Sequence, residues 1–121
     1  MGGRGRHERS THGISADAIR GYIDIMILSI LSREASYAYE IAKTIATISG
    51  GHYTIKQTTL YSAVKRLESS GDVSSFEGVS ETGKPRTYYQ LTDSGRAALA
   101  AKCIEWESTK SVVDRFAKGA I

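Results

Sequence analysis

Apolar residues recur along this chain at helical spacing over its first half and at strand spacing near residue 80. From Ala16 to about Ser32, apolar side chains at Ile19, Tyr22, Ile23, Met26, Leu28, Ile30 and Leu31 fall on most faces of a helix. That distribution predicts a segment packed from several sides. Ser15 stands where an N-cap is wanted, with Asp17 in the first turn. A second helix is expected from Ser36 to just before Gly50-Gly51, with Ile41, Ile45 and Ile48 forming one buried stripe. The two glycines supply left-handed geometry at its end. The third helix should begin between Thr54 and Gln57, which have capping-box spacing. Leu60, Val64 and Leu67 form its narrow inner stripe, Tyr61, Ser62, Lys65 and Arg66 its opposite face, and Gly71 its stop.

From Val73 the period changes. Val73–Val79 and Arg86–Leu91 are rich in β-branched and aromatic residues and flank a polar run from Ser80 to Pro85. This is the pattern of a hairpin with a polar tip. Pro85 lacks an N–H and belongs at a loop or strand start. Thr92 or Asp93 can cap a last helix reaching about Lys118. The expected fold is therefore mainly α with a small β-hairpin: a winged helix-turn-helix over residues 16–92, then a long C-terminal dimerisation helix over 93–121. Residues 1–15, with Gly2, Gly3, Gly5 and Gly13 among Arg4, Arg6 and Arg9, are expected to form a flexible basic arm. Such an arm is either a plain leader or a device that follows phosphates or a minor groove.

With 121 residues, 40% hydrophobic and 24% charged, the chain has the makings of one globular domain. The densest apolar run, Tyr22 to Leu31, is interrupted by Asp24 and Ser29 and falls short of the roughly 18–20 residues that cross a bilayer. No membrane association is expected. The first residues lack the apolar stretch of a secretory signal, and one cysteine, Cys103, cannot form an internal disulfide. A cytoplasmic location is the expectation. A net charge of +3 permits an anionic partner without requiring one.

Helix, turn, helix and hairpin are the parts with which many proteins read duplex DNA. A major groove about 12 Å wide admits one helix. The third helix, with its narrow inner stripe, leaves a face free to enter it. That face opens with Gln57, Thr58 and Thr59, short enough to approach bases and phosphates. Tyr61 and Ser62 can donate to phosphate and Lys65 can neutralise one. Lys84 at the hairpin tip and Arg86 just after it are placed for the backbone or the minor groove. Each also has an ordinary explanation. Lys65 and Arg66 beside Glu68 suit any solvated helix face, Lys84 keeps a tip soluble, and Tyr61 is compatible with half-buried packing. Their joint placement on two reading elements favours DNA. The rival reading is a winged-helix module that docks a protein partner without direct DNA readout.

Ser36-Tyr37-Ala38-Tyr39-Glu40-Ile41, then Thr59-Leu60-Tyr61, Lys65-Arg66-Leu67-Glu68 and Gly71, then Tyr88-Tyr89-Gln90-Leu91-Thr92 and Gly95, recur in order and spacing over about residues 20 to 116. Together they resemble the PadR family of bacterial transcriptional regulators. The resemblance implies a dimeric winged-helix repressor of the compact branch, with one final helix making most of the dimer contact. It carries DNA-contact roles onto Thr58, Thr59, Tyr61, Ser62, Lys65, Lys84 and Arg86, and places Tyr37 and Tyr39 toward the DNA backbone or in packing. Two positions depart from the pattern. Thr58 stands where many members have glycine, and Asp72 follows Gly71 where an apolar residue is usual.

In the last helix Leu99, Cys103, Trp106 and Val113 share one face, interrupted by Lys110, while Ala97, Ala101, Ile104 and Val112 lie roughly opposite. A helix apolar on two sides needs two partners, here the first helix of its own chain and a second subunit. A two-fold dimer would set its reading helices about 34 Å apart, one turn of DNA, and call for a pseudo-palindromic operator. Trp106 is either an interface anchor or one of two rings that stack a planar aromatic effector across the two-fold axis. The effector idea is implied by the resemblance, through Glu105-Trp106 in mid-helix. No enzyme, cofactor or metal site is expected: His7, His12, His52 and Cys103 lack zinc spacing, and Gly2–Gly5 neither follows a strand nor opens a helix.

Overall fold

The structure, a computed structural model, describes residues 13–119. Residues 1–12, most of the expected basic arm, lie outside it. The described chain runs α1 (Ala16–Ile19), a 3-10 turn (Arg20–Tyr22), α2 (Ile23–Leu31), β1 (Ser36–Tyr37), α3 (Ala38–Ile48), α4 (Gln57–Ser69), β2 (Val73–Val79), β3 (Pro85–Leu91) and α5 (Asp93–Ala117).

The first helix is not continuous, contrary to the expectation. Ser15 caps it as anticipated, its Oγ accepting from the Ala18 N–H at 3.1 Å. After one turn the helix gives way to the 3-10 segment around Gly21, and Tyr22 leaves helical geometry at φ −119°, ψ 4°. Glycine is among the poorest helix formers, so interruption costs little there. The break turns the Tyr22 ring onto Trp106 of α5, with centroids 4.9 Å apart and the rings edge to face. Beyond it α2 is the central element, packed against α3, α4, β3 and α5. Ile27 and Leu28 are completely buried.

The second helix begins two residues later than its pattern suggests. Ser36 and Tyr37 pair with Tyr89 and Tyr88 as a third antiparallel strand, so the expected hairpin is a three-stranded sheet in the order β1-β3-β2. Ile41 and Ile45 of α3 are buried, but Ile48, expected in the same stripe, is 73% exposed. It lies one turn past the core, on the rim of a groove shared with Ile25, Met26, Ile30 and Cys103. The positive φ of Gly50 and Gly51 lets the chain turn out of α3. Tyr53 and Ile55 then plug the core from the connection.

The stripe of α4 is as expected, with Leu60, Val64 and Leu67 buried and Ala63 beside them. The expected capping box is absent: Lys56 is the N-cap and no side chain caps the helix. At the far end Gly71, Asp72 and Thr92 knot α4 to α5. Thr92 Oγ1 donates to the Gly71 carbonyl at 2.6 Å and accepts from the Gly95 N–H at 3.0 Å. Asp72 accepts from Ser94 Oγ at 2.7 Å and from Ser70 Oγ at 3.2 Å. Asp72 therefore serves as the hub of this junction. Gly95 is buried there, and a Cβ would overlap the Asp72 carbonyl oxygen.

Candidate nucleic-acid interface

Four elements converge where β1 ends. Tyr37 at the end of β1, Tyr39 from the first turn of α3, Gln57 and Tyr61 from the start of α4, and Pro85, Arg86 and Thr87 from β3 line an open concavity of about 360 Å³. The short β1 leaves this end of β3 without a partner on that side, which opens the concavity. Beside it, Thr58, Ser62 and Lys65 stand exposed along the ridge of α4. With no side-chain cap, the first N–H groups of this helix face outward with the positive end of its dipole. Small polar side chains, aromatic hydroxyls, free N–H groups and cations on one concave surface suit an anionic, groove-bearing partner.

Arg86 is held rather than loose. Its guanidinium lies 3.8 Å from the centroid of the Tyr37 ring, a cation–π contact. Tyr37 meets Tyr88 edge to face at 5.6 Å, and Tyr88 stacks on Phe76 at 5.5 Å and 13°. This row of three rings crosses all three strands on one face of the sheet. Gly78 makes room for it, since a Cβ there would sit 2.7 Å from the Tyr88 ring. At the tip of the wing, Ser80 Oγ accepts from the Lys84 N–H at 3.1 Å, and the Ser80 N–H donates to the Lys84 carbonyl at 2.8 Å. These bonds give the tip a defined turn, completed by Gly83 at φ 88°, with the Lys84 side chain exposed.

Five of the ten residues expected to meet DNA, namely Tyr37, Tyr39, Gln57, Tyr61 and Arg86, thus share one concavity. Thr58, Ser62 and Lys65 flank it and Lys84 stands at the wing tip. Thr59 is turned away: it is half-buried and lines a different cleft with Ile14, Ala16, Arg20, Tyr53 and Lys56. One residue after Thr58 on the helix, it points some 100° further round, toward α1. Lys65 Nζ is only 3.7 Å from Glu68, whose other oxygen accepts from Ser75 Oγ at 2.7 Å. Arg66, grouped with Lys65 by sequence, is instead bound by Asp24 of α2 through two hydrogen bonds of 2.6 and 2.8 Å. That partnership raises its pKa above the ordinary guanidinium value. No periodicity signals a contact between residues 42 positions apart.

The expected effector and dimer residues spread over more than one environment. Leu99 is half-buried against the core. Cys103 is exposed and borders the groove with Ile48. Trp106 packs on Tyr22 and, with Asp17, Gly21, Lys102 and Glu105, lines a cleft of about 390 Å³. Lys110 sits 5.7 Å from the Trp106 ring and pairs with Glu107 at 3.2 Å. Val113 is exposed, as are Ile104, Val112 and Phe116; sequence reading overlooked the last of these. Among the described residues no helix is long and apolar enough to cross a membrane, and no His, Cys, Asp and Glu cluster could hold a metal.

Helices α3 and α4 joined by a turn, with β2 and β3 as the wing, make this a winged helix-turn-helix protein. Residues 27–101 match the transcriptional regulator PadR-like family, and the chain belongs to that family. It is 50% identical to a transcriptional regulator from Clostridium thermocellum of known structure, covering 85% of this chain and 97% of that one with a TM-score of 0.78. An uncharacterised protein of Lysinibacillus sphaericus is 33% identical over 106 residues, 88% of this chain and 97% of the relative. The fold also matches Bacillus subtilis PadR in complex with operator DNA, at 24% identity and a TM-score of 0.61, covering 69% of this chain and 47% of that one.

Proposed function

We propose that this PadR-family regulator is a homodimer that binds a pseudo-palindromic operator in duplex DNA and represses by occupying it. The observation that carries the reading is the convergence of Tyr39, Gln57 and Tyr61 with a stacked Arg86 around one concavity, beside an uncapped α4 that exposes Thr58, Ser62 and Lys65. In this reading α4 enters the major groove while Arg86 and Lys84 meet the backbone or minor groove. The B. subtilis PadR complex supports the same use of the shared fold. DNA as the target puts the protein in the cytoplasm.

The second subunit is inferred from α5. Among its residues only Gly95 is buried, yet it carries Ile104, Val112, Val113 and Phe116 on its surface. The groove of Ile25, Met26, Ile45 and Ile48 beside Cys103 offers a further apolar surface. A second copy of the chain would cover both. Relief of repression is assigned to a planar aromatic effector at Trp106, whose ring meets the Tyr22 ring in an edge-to-face contact and has a cleft beside it.

Replacing Lys65 or Lys84 with Ala should weaken binding to all duplexes alike and reduce the salt slope by about one per residue. An unchanged slope in both variants would contradict the contact assignment and favour the protein-docking alternative. Trp106 is the only tryptophan in the chain, so its fluorescence reports on one position. A planar dye should quench it and lower operator affinity together. Quenching that leaves DNA affinity untouched would remove the effector role.

A further inference from the structure

We infer that Asp24 and Arg66 form a latch that keeps one cation off the DNA and sets the angle of the reading helix, so that Asp24 is a positioning residue for sequence-specific binding. The inference rests on the DNA-binding reading above. Both Asp24 oxygens are taken by the one guanidinium, Nη1 to Oδ2 at 2.6 Å and Nη2 to Oδ1 at 2.8 Å. The Asp24 side chain is only 19% exposed, against 58% for that of Arg66, so one half of the pair is anchored in the body of the domain. A bidentate fork has one geometry, unlike a single contact to a lysine. It spans from the first turn of α2 to the last turns of α4, far from the helix start that reads bases.

Arg66 lies on the flank of α4, one position past Lys65. It shares its side of α4 with Thr59, seven residues earlier, but its side chain is longer and 58% exposed, so that left free it would be one more cation able to swing toward phosphates on any sequence. Phosphate contacts add affinity without discrimination, whereas base contacts require the helix at a fixed depth and angle. Occupying the guanidinium with Asp24 serves discrimination twice: a non-specific contact is withheld and α4 is braced. The brace also ends on the segment that supports α5, because Asp24 follows Tyr22, whose ring meets Trp106, by two residues.

The test compares Asp24→Asn, Arg66→Gln and the double variant with the parent protein, on random-sequence duplex and on the operator recovered by selection. Asp24→Asn should free Arg66, raise non-specific affinity on the order of five-fold at about 0.15 M salt, and steepen the salt slope by about 0.9. Arg66→Gln should leave non-specific affinity and slope as they are while lowering operator affinity. The double variant should match Arg66→Gln on random duplex. A role in folding alone would move none of the slopes. The latch is overturned if Arg66→Gln flattens the slope by about one, because Arg66 then contacts phosphate, or if Asp24→Asn leaves it unchanged. Should Asp24→Asn fail to fold, Arg66→Gln decides alone. A parent that binds no duplex would defeat the DNA reading itself. In that case amide exchange in the free protein still tests the brace: residues 57–69 should exchange faster in Arg66→Gln, and equal rates would overturn it.

Discussion

Lys65 and Arg66 are neighbouring cations on one helix, and only their surroundings separate them. Lys65 points from the outer ridge with a loose contact to Glu68, while Arg66 is fixed to Asp24. Thr58 and Thr59 divide in the same way, one exposed and one turned toward α1. Buried tyrosines give this scale a pH test. Burial raises the pKa of Tyr53, and burial together with the charges of Glu68 and Glu77 and the nearby Tyr61 raises that of Tyr89. A phenol that ionises more readily in the unfolded chain contributes stability that is full below the unfolded value, about 10, and is lost as pH rises through the folded value. Denaturant midpoints should therefore hold steady up to about pH 9 and fall above pH 10. Tyr89→Phe should soften that fall, and an identical alkaline profile would remove its cause. The aliphatic core is less conditional: Ile27→Ala should cost about 2–5 kcal/mol in urea unfolding, and a loss below about 1 kcal/mol would mean the site is not packed as described.

Among the elements, those stabilised by their own periodicity were legible in the sequence. The inner stripe of α4, the Ser15 and Thr92 caps, and the two wing strands follow from local spacing and local hydrogen bonds. Those defined by a distant partner were not. Ser36-Tyr37 carries no strand pattern of its own and becomes β1 only by pairing with Tyr88-Tyr89. The interruption at Gly21 is tied to Trp106, far along the chain, which receives the Tyr22 ring. The aromatic row of Tyr37, Tyr88 and Phe76 likewise depends on register across three strands, although the residues themselves were plain to see. The knot at Asp72 and Thr92 fixes α5 relative to α4, and Gly95 is its tightest point. Gly95→Ala should destabilise the fold by about 3 kcal/mol because its Cβ meets backbone that cannot step aside. At Gly78 the obstacle is the Tyr88 ring, a side chain that can turn, so Gly78→Ala should cost about 1 kcal/mol. A reversed order in thermal melts would contradict this account of the two glycines.

For the molecule as a whole, α5 is the feature that one chain leaves unfinished. It spans 25 residues, and past Leu99 its apolar side chains find little to cover them, Phe116 being 62% exposed. The sequence displayed this two-sided character, but not that Leu99 and Trp106 would pack on their own chain while Val112, Val113 and Phe116 stay exposed. Changing Val112 and Phe116 together to Glu should yield a folded monomer in sedimentation. Its operator affinity should fall on the order of a hundred-fold or more, because the second reading helix is no longer tethered to the first. A double variant that remains a dimer would move the interface elsewhere.

The most direct test of the central claim is selection from a random duplex library with the purified full-length protein, reading the enriched sequences. Two copies of α4 held by paired α5 helices predict an inverted repeat with half-site centres about 10 base pairs apart, bound by one dimer, with affinity lost when about five base pairs are inserted between the halves. No enrichment, or a lone half-site indifferent to that insertion, would contradict the account.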